Sequence, residues 1–597
     1  MYNTVNQGVL GSSPRRSAEI SSKKLGLIFF VIAKISIFAK TKIAMKRFIK
    51  GIALSVILGL TSTGASAQKA DDHNFEIARN LEVFHEIVSE LDRFYVDTIN
   101  PKQTIEKGIQ AMLSSIDPYT EYYPENDMMD LKMITTGKYA GIGAIIRQYT
   151  GRDYIYIDEP YEGMPAARYG LKAGDEILSI NGESMKGKAS SYVSDHLRGE
   201  ADSKLTVTVR RPGVPDSLSI DLVRSVIALP AVPYYGMYKG YGYILLEQFT
   251  ENCSKSVMKA LVELKEQGAK GIILDLRGNG GGLLNEAVEI VGLFVPKGTK
   301  LVETRGKVPQ VGSTYVTQRN PIDENIPLVV LTDDQSASAS EIVAGSLQDL
   351  DRAVIVGVRT FGKGLVQTTR MLPFNGTLKV TTAKYYIPSG RCIQEIDYSK
   401  RNEKGQAQHI PDSLTKVFYT AAGRPVRDGG GIRPDVVCKQ DTMPDILYYL
   451  SQNVVLFDYV NDWCTRHATI APAQDFKLTD ADYNEFKEFV CNSDFKFESN
   501  SSKALTSLRK LAEREGLADK AQDEFKSLES KLQYDLRNDL DVFRKDLERV
   551  VSMEILVRYY YQRGLIMYNM KSDRFLEEAA GLLGDRKRYD SILASPQ

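Results

Sequence analysis

The sequence predicts a multidomain α+β protein with amino-terminal helices, a small β-rich module, an α/β core and a carboxyl-terminal helical region. Three observations support this division. Short apolar runs alternate with turn residues between Gly137 and about Gly213, a strand–helix–strand rhythm runs from Tyr241 to Val358, and beyond about Asp445 apolar residues take the spacing of amphipathic helices. At 597 residues the chain is also too long for one hydrophobic core.

The chain opens on an address. Met45, Lys46, Arg47 and Lys50 form a basic region, Ile52 to Leu60 an apolar one, and Ala65-Ser66-Ala67 a small-residue cleavage site before Gln68. Residues 45–67 therefore read as a secretory signal peptide, and 1–44 as an extension from an upstream start. The rival is an anchor at Leu25 to Ala39, but that run is short for a span of about 20 residues and Lys34 interrupts it. A periplasmic or otherwise exported protein is expected.

Residues 68–136 are expected to be helical. Leu81, Phe84, Val88, Leu91 and Tyr95 fall at three-and-four spacing, and a second helix spans Gln103 to Ser115 before Asp117-Pro118 ends it. These helices are expected to pack on a neighbouring domain or another subunit. In the module 137–213, strands are expected at Ala144–Arg147, Tyr154–Ile157, Glu176–Ile180 and Leu205–Arg210.

In the core, 214–440, strands at Tyr241–Glu247 and Gly271–Leu276 flank a helix at Ser254–Gln267. The glycine-rich turn Arg277 to Gly282 and a helix at Asn285–Phe294 follow. Strand Leu328–Leu331, a Ser/Ala turn, helix Ala339–Leu350 and strand Ala353–Val358 come next, and the polar run Asp397–Thr415 reads as a surface loop. In 441–597, Leu528, Leu532, Leu536, Leu540, Phe543 and Leu547 form an apolar stripe without a proline, a packing or association surface to which no chemistry is assigned.

Composition and spacing disfavour several chemistries, although a histidine distant in sequence could still approach the serines in space. Lys+Arg and Asp+Glu both number 76, so no charge excess points to nucleic acid. The five cysteines are scattered without a CxxC pair, and none of the five histidines neighbours the serine cluster in sequence. No metal site, disulfide framework or Ser/His/Asp triad is therefore expected. A dinucleotide fingerprint fails because its third glycine would fall on Leu283. A phosphate loop fails at Gly364, where a Ser or Thr hydroxyl is required. No cofactor is expected.

What remains is a hydroxyl and an amine. Ser336, Ser338 and Ser340 precede one helix and Lys363 ends the turn after the next strand, so a parallel sheet would bring the two turns together at its carboxyl edge. An amine removes a serine proton only when neutral, which burial beside Phe361 and Leu365 favours. The Gly281 turn and the amide after the nucleophile are candidate oxyanion donors. Spacing alone does not choose among the three serines.

Residues 163–183, GMPAARYGLKAGDEILSINGE, resemble a PDZ domain. That likeness implies an extended peptide added beside a sheet edge, its carboxylate held by backbone amides of Gly141, Ile142 and Gly143. With DLRGNGGG at 275–282, SASASE at 336–341 and TFGKGLVQ at 360–367 in that order, the chain resembles the carboxyl-terminal processing peptidases, the tail-specific S41 serine proteases.

The resemblance implies a ClpP/crotonase-like α/β core with Ser338 as nucleophile, Lys363 as general base and Gln367 orienting the amine. Gly281 and Ala339 would carry the oxyanion donors, with Gly282 the nearest substitute. Glu341 and Asp349 match acidic family positions that either support the chemistry or brace the helix. The implied partners are protein substrates with exposed carboxyl-terminal tails, with self-association or a regulatory adaptor left open. The alternative is an inactive PDZ-containing adaptor of the same fold, disfavoured because every motif part is present.

Overall fold

The computed structural model describes residues 64–594 except 129–132, 134–135, 404, 440–442, 498–499 and 533–534. Residues 1–63, with the start extension and most of the expected signal peptide, lie outside the described residues. The chain forms two units, 1–108 and 109–597. In the first, helix α1 (Gly64–Phe94) carries the expected apolar stripe, with Leu81, Phe84 and Leu91 exposed. Helix α2 (Pro101–Ser114) runs across the boundary.

The second unit begins with β1 (Glu121–Tyr123) and β2 (Lys138–Gly141). A small sheet follows, built from β3 (Ala144–Gln148), β4 (Ile155–Pro160), β5 (Glu176–Ile180), β6 (Glu183–Ser184), β7 (Lys204–Arg210) and β8 (Leu218–Val223). Helix α3 (Pro165–Arg168) leaves β4, and α4 (Ser190–Leu197) packs beside β3. Alternation decides the faces: in β7, Leu205, Val207 and Val209 are buried among Ile155, Ile157 and Ile177. The ladder continues past Gly213, because β8 pairs with β7 and β9 (Ser225–Ala228) returns to pair with β2. β3 stays at the sheet edge.

The core sheet contains β10 (Tyr234–Tyr238), β11 (Tyr241–Leu245), β12 (Ile272–Asp275), then β15 (Leu328–Thr332), β16 (Val354–Gly357) and β23 (Val436–Val437), in that spatial order. All neighbours are parallel except the β10–β11 hairpin. Its central strands are continuous apolar runs, as expected for strands covered on both faces. One face packs on α5 (Cys253–Glu266), α6 (Leu284–Val291) and α7 (Ala339–Asp349). Truncating a fully buried member such as Leu331 to Ala would cost about 2–5 kcal/mol.

A second sheet is built around β18 (Thr377–Tyr386), which pairs with β1, with β13 (Lys300–Gly306) and with β17 (Leu365–Met371); β14 (Ser313–Val316) extends it beyond β13. The polar run 397–415 is not an irregular loop. It forms a hairpin, β19 (Ile396–Arg401) with β20 (Ala407–His409), whose backbone pairs although no residue of either strand is fully buried. A second hairpin joins β21 (Val417–Tyr419) to β22 (Pro425–Arg427).

The carboxyl-terminal helices divide in two. Helices α8 (Asp445–Ser451), α9 (Val454–Arg466), α10 (Asp480–Cys491), α13 (Leu536–Val542) and α14 (Arg544–Asn569) enclose their own core around Tyr459, Trp463, Phe486 and Ile555, while α11 (Asn500–Arg514) and α12 (Gln522–Lys531) meet in a separate cluster of Leu505, Ala512 and Phe525. Phe457 of α9 also joins Tyr149 and Tyr156 of the β-rich module. The expected stripe is broken here: α12 (Gln522–Lys531), α13 (Leu536–Val542) and α14 are separate helices, with Asp535 capping α13 through Asn538 N–H. Leu528 and Leu532 are exposed, while Leu540 and Leu547 are buried. The last helices, α15 (Arg574–Gly584) and α16 (Arg586–Leu593), cover the second face of the core sheet, where Leu576, Ala579 and Leu583 pack with Ile273, Val329 and Val356.

Candidate active site

The register of the core sheet builds the site. Asp275 pairs with Leu331 and Thr332 with Gly357, so the turns after β12, β15 and β16 leave the same edge. They surround a cavity of about 470 Å³ lined by Gly281, Gly282, Ser338, Ala339, Lys363 and Gln367, with Lys379 and Tyr385 on its wall.

Geometry separates the three serines. Ser336 is fully buried, and its hydroxyl donates to the Leu276 carbonyl (2.8 Å). Ser340 is fully buried and donates to the Asn279 carbonyl (2.8 Å). Only Ser338 of the three lines the cavity. Its backbone sits at φ 57°, ψ −110°, a conformation that costs a non-glycine residue on the order of 1–3 kcal/mol. The surroundings hold it there: Ser338 N–H donates to Glu341 Oε2 (2.8 Å), and the preceding Ala337 N–H donates to the Asn279 carbonyl (3.0 Å).

Glu341 is a brace. Fully buried, it accepts from Ser338 N–H and Lys363 N–H (2.9 Å) on one oxygen and from Thr360 Oγ1 (2.6 Å) and Gly362 N–H (2.7 Å) on the other. One carboxylate thus ties the serine turn to the lysine turn, and burial pushes it up to about 7 despite those donors. Asp349 lies at the far end of α7, ion-paired with buried Arg391 (2.8 Å) and accepting from Ser389 N–H (3.0 Å); it braces the helix end.

Two expected contacts differ. Gly281 N–H donates to Asn279 Oδ1 (2.9 Å) and is therefore committed within its own turn. The reason is a local side-chain turn: Asn279 is buried, its amide fixed on the Leu246 carbonyl (2.7 Å), and its oxygen faces the amide two residues on. The N–H groups of Gly282 and Ala339 have no hydrogen-bond acceptor among the described residues. Gln367 does not hydrogen-bond to the lysine amine. It is the cross-strand partner of Thr381, just after a bulge in the β17–β18 ladder, and its amide donates to Thr381 Oγ1 (3.1 Å).

Lys363 Nζ lies 4.3 Å from the centroid of the Tyr119 ring. Burial and then the charge of Lys379 push its amine down to about 8, with Glu341, Asp117 and Glu121 acting in the opposite sense. Lys379 is held by Glu121 of β1 (2.7 Å). Arg277 holds the glycine-rich turn, ion-paired with Asp275 and with Asp573.

Tyr119, Lys379 and Asp573 lie outside the motifs, and Asn279 lies within DLRGNGGG at 275–282, where nothing marks its side chain as the acceptor for the Gly281 amide. The one sequence signal lies at Asp117, where an Asp-Pro-Tyr-Thr run marks a side-chain-capped turn as well as a helix end. In the β-rich module, Gly143 has φ 71°, and a Cβ there would lie 2.6 Å from Met164 Cβ. Ile142 is buried and its carbonyl accepts from Ala166 N–H (2.7 Å), so the Gly141–Gly143 loop is pinned at the start of edge strand β3.

Comparison with known proteins follows the same division. Residues 240–399 match peptidase family S41, 156–211 match the PDZ domain, and 446–583 match "Probable PDZ-protease, C-terminal helical domain". The carboxy-terminal-processing protease of Bartonella bacilliformis is 35% identical over 58% of this chain and 80% of its own length. The chain belongs to peptidase family S41. This S41 peptidase is also similar to the carboxy-terminal processing protease CtpA of Bacillus subtilis, at 29% identity over 67% of this chain and 81% of that one. Among solved structures, a photosystem II D1 C-terminal processing protease aligns at a TM-score of 0.34 and 29% identity, covering 60% of this chain and 93% of that one. The enzyme is therefore a serine-type peptidase carrying a PDZ domain and a carboxyl-terminal helical domain.

Proposed function

We propose that this S41 peptidase is an exported endopeptidase that cuts protein chains near their carboxyl ends with a Ser338/Lys363 dyad after its PDZ domain takes up the tail. The observation that carries the dyad is that Ser338 and Lys363 line one cavity, on turns joined by Glu341, with the amine pushed down to about 8. The signal-peptide pattern at 45–67 supports export, and the open edge of β3 beside α4 supports tail uptake.

In the proposed cycle, Lys363 Nζ takes the hydroxyl proton as Ser338 Oγ bonds to the substrate carbonyl carbon. The carbonyl π electrons move to oxygen, and the N–H groups of Ala339 and Gly282 receive that oxyanion. The resulting ammonium gives its proton to the leaving amine as the C–N bond breaks, leaving an ester on Ser338. Water, losing a proton to the same amine, then bonds to the ester carbon, and the ammonium returns that proton to Ser338 Oγ as the ester C–O bond breaks. One oxyanion donor commonly contributes about 3–4 kcal/mol. The amine works here because burial keeps much of it neutral near pH 8.

Mass spectrometry of the products from an unstructured protein with an exposed tail tests the whole reading. Cuts near the carboxyl end are expected from the native enzyme and none from Ser338→Ala or Lys363→Ala. Cutting by either variant would sink the dyad, and cuts without regard to the tail would sink tail capture.

A further inference from the structure

We infer that the face of Tyr119 is part of the catalytic apparatus, seating the Lys363 amine and stabilising the positive charge it acquires on taking the Ser338 proton. This deepens the Ser/Lys reading above and rests on it.

The ring is where Nζ rests. Among the described residues Nζ has no hydrogen-bond acceptor, and Gln367, expected to orient it, is turned to Thr381. The Tyr119 centroid at 4.3 Å is well inside the range in which a ring face attracts an ammonium.

Tyr119 is itself held from two sides. Its N–H and that of Thr120 both donate to Asp117 Oδ1 (2.8 Å each), and Thr120 Oγ1 donates to Asp117 Oδ2 (3.0 Å), with Asp117 buried. Its ring stands edge-on to Tyr398 of β19, centroids 6.0 Å apart at 89°. Two residues later the chain enters β1, whose Glu121 pairs with Lys379 of β18. A segment that spacing marks only as a helix end is thus locked under the base.

The other charged groups facing the amine are Lys379, which opposes its protonation, and Glu341, Asp117 and Glu121, which favour it. Each also has its own partner: Lys379 and Glu121 pair together, Glu341 serves two turns, and Asp117 caps its own. A ring face differs from these. It covers the neutral amine as an apolar surface, and its quadrupole becomes attractive as the proton arrives. The ammonium that exists between proton uptake from Ser338 and proton delivery to the leaving amine is therefore the species the ring favours. Without that face Lys363 is a weaker base.

A weaker base has a particular signature: the high-pH plateau of kcat/KM falls while its acid limb moves to lower pH. Position 119 is tested in the full chain with Phe, pentafluorophenylalanine and Leu, beside Lys363→Ala. Phe keeps the face and is expected within about threefold of the native plateau with an unmoved limb. Pentafluorophenylalanine keeps the shape but removes the negative face, so a plateau about tenfold lower and a limb lower by roughly half a pH unit are expected, with Leu alike. An unchanged plateau, or a fall with the limb fixed or moved upward in the fluorinated protein, overturns the inference. If Lys363→Ala retains activity, the Ser/Lys reading itself has failed; if it is inactive while the fluorinated protein matches Phe, only the role of Tyr119 has failed.

Discussion

Asp573, the cap of the penultimate helix, grips Arg277 of the glycine-rich turn through both carboxylate oxygens, at 3.1 and 2.6 Å, across 296 positions of sequence. The same guanidinium holds Asp275 at the end of β12, and it lies over the Phe575 ring at 5.0 Å. The geometry of the turn that lines the cavity therefore depends on the carboxyl-terminal segment. Asp573→Asn, which keeps the cap acceptor but loses the charge, is expected to lower kcat about tenfold with KM within about twofold. Asp573→Ala should in addition cost about 1–3 kcal/mol in urea unfolding, less than an orphaned buried pair because Asp275 remains.

Gly281 and Gly280 offer a contrast one residue apart. A Cβ on Gly281, at φ 99°, would lie 2.7 Å from the Ala337 carbonyl oxygen and 2.8 Å from Ser338 Cβ, forcing the two turns apart. A Cβ on Gly280 meets nothing within 4 Å. Gly281→Ala should therefore lose activity by about a hundredfold, as expected when nucleophile and oxyanion donors are misplaced. Gly280→Ala should stay within about threefold, as steady-state assays of the pair will check.

The buried amine of Lys363 sets both a pH profile and a stability cost. Activity should rise through an acid limb near pH 8 as the amine loses its proton. Because the folded value lies below the usual amine value of 10.5, the unfolded chain binds this proton more tightly. The group's stability contribution is complete above about 10.5 and is lost as pH falls toward 8. Lys363→Met should therefore be inactive yet more stable than the native protein at pH 7, the gap closing toward pH 10.5; urea titrations at several pH values measure it.

The edge strand β3 and the pinned loop before it make a specific binding expectation. A labelled peptide with a free carboxylate should bind the full chain at least about tenfold more tightly than its amidated twin, since a charge-assisted set of amide bonds is lost. Gly143→Val, driving a side chain into Met164, should abolish that difference while leaving hydrolysis of a short activated ester unchanged. Fluorescence anisotropy and ester turnover on the same protein report the two properties separately.

How much of this was legible in the sequence follows from the range of the forces involved. The core strands are runs such as Leu328–Leu331, whose apolar character any two-sided burial demands, and the turns that meet at the cavity follow from parallel order. PDZ strands with in-and-out alternation, such as Leu205–Arg210, were equally plain. Strands Leu218–Val223 and Ser225–Ala228 were not, because their pairing with β7 and β2 is set by partners rather than by pattern. The polar hairpin Ile396–His409 has no buried face to announce it. At the site, motif residues were visible, but Tyr119 under the amine and Asp573 on Arg277 arise only when distant segments meet. Gln367 shows the converse: its motif position holds, but cross-strand register gave its amide to Thr381.

The most direct test of the Ser338 assignment is to quench turnover of a slowly deacylating ester in acid and locate the acyl group by peptide mapping. One adduct is expected, on Ser338, absent from Ser338→Ala and from Lys363→Ala. An adduct on Ser336 or Ser340, or continued turnover by Ser338→Ala, would contradict it.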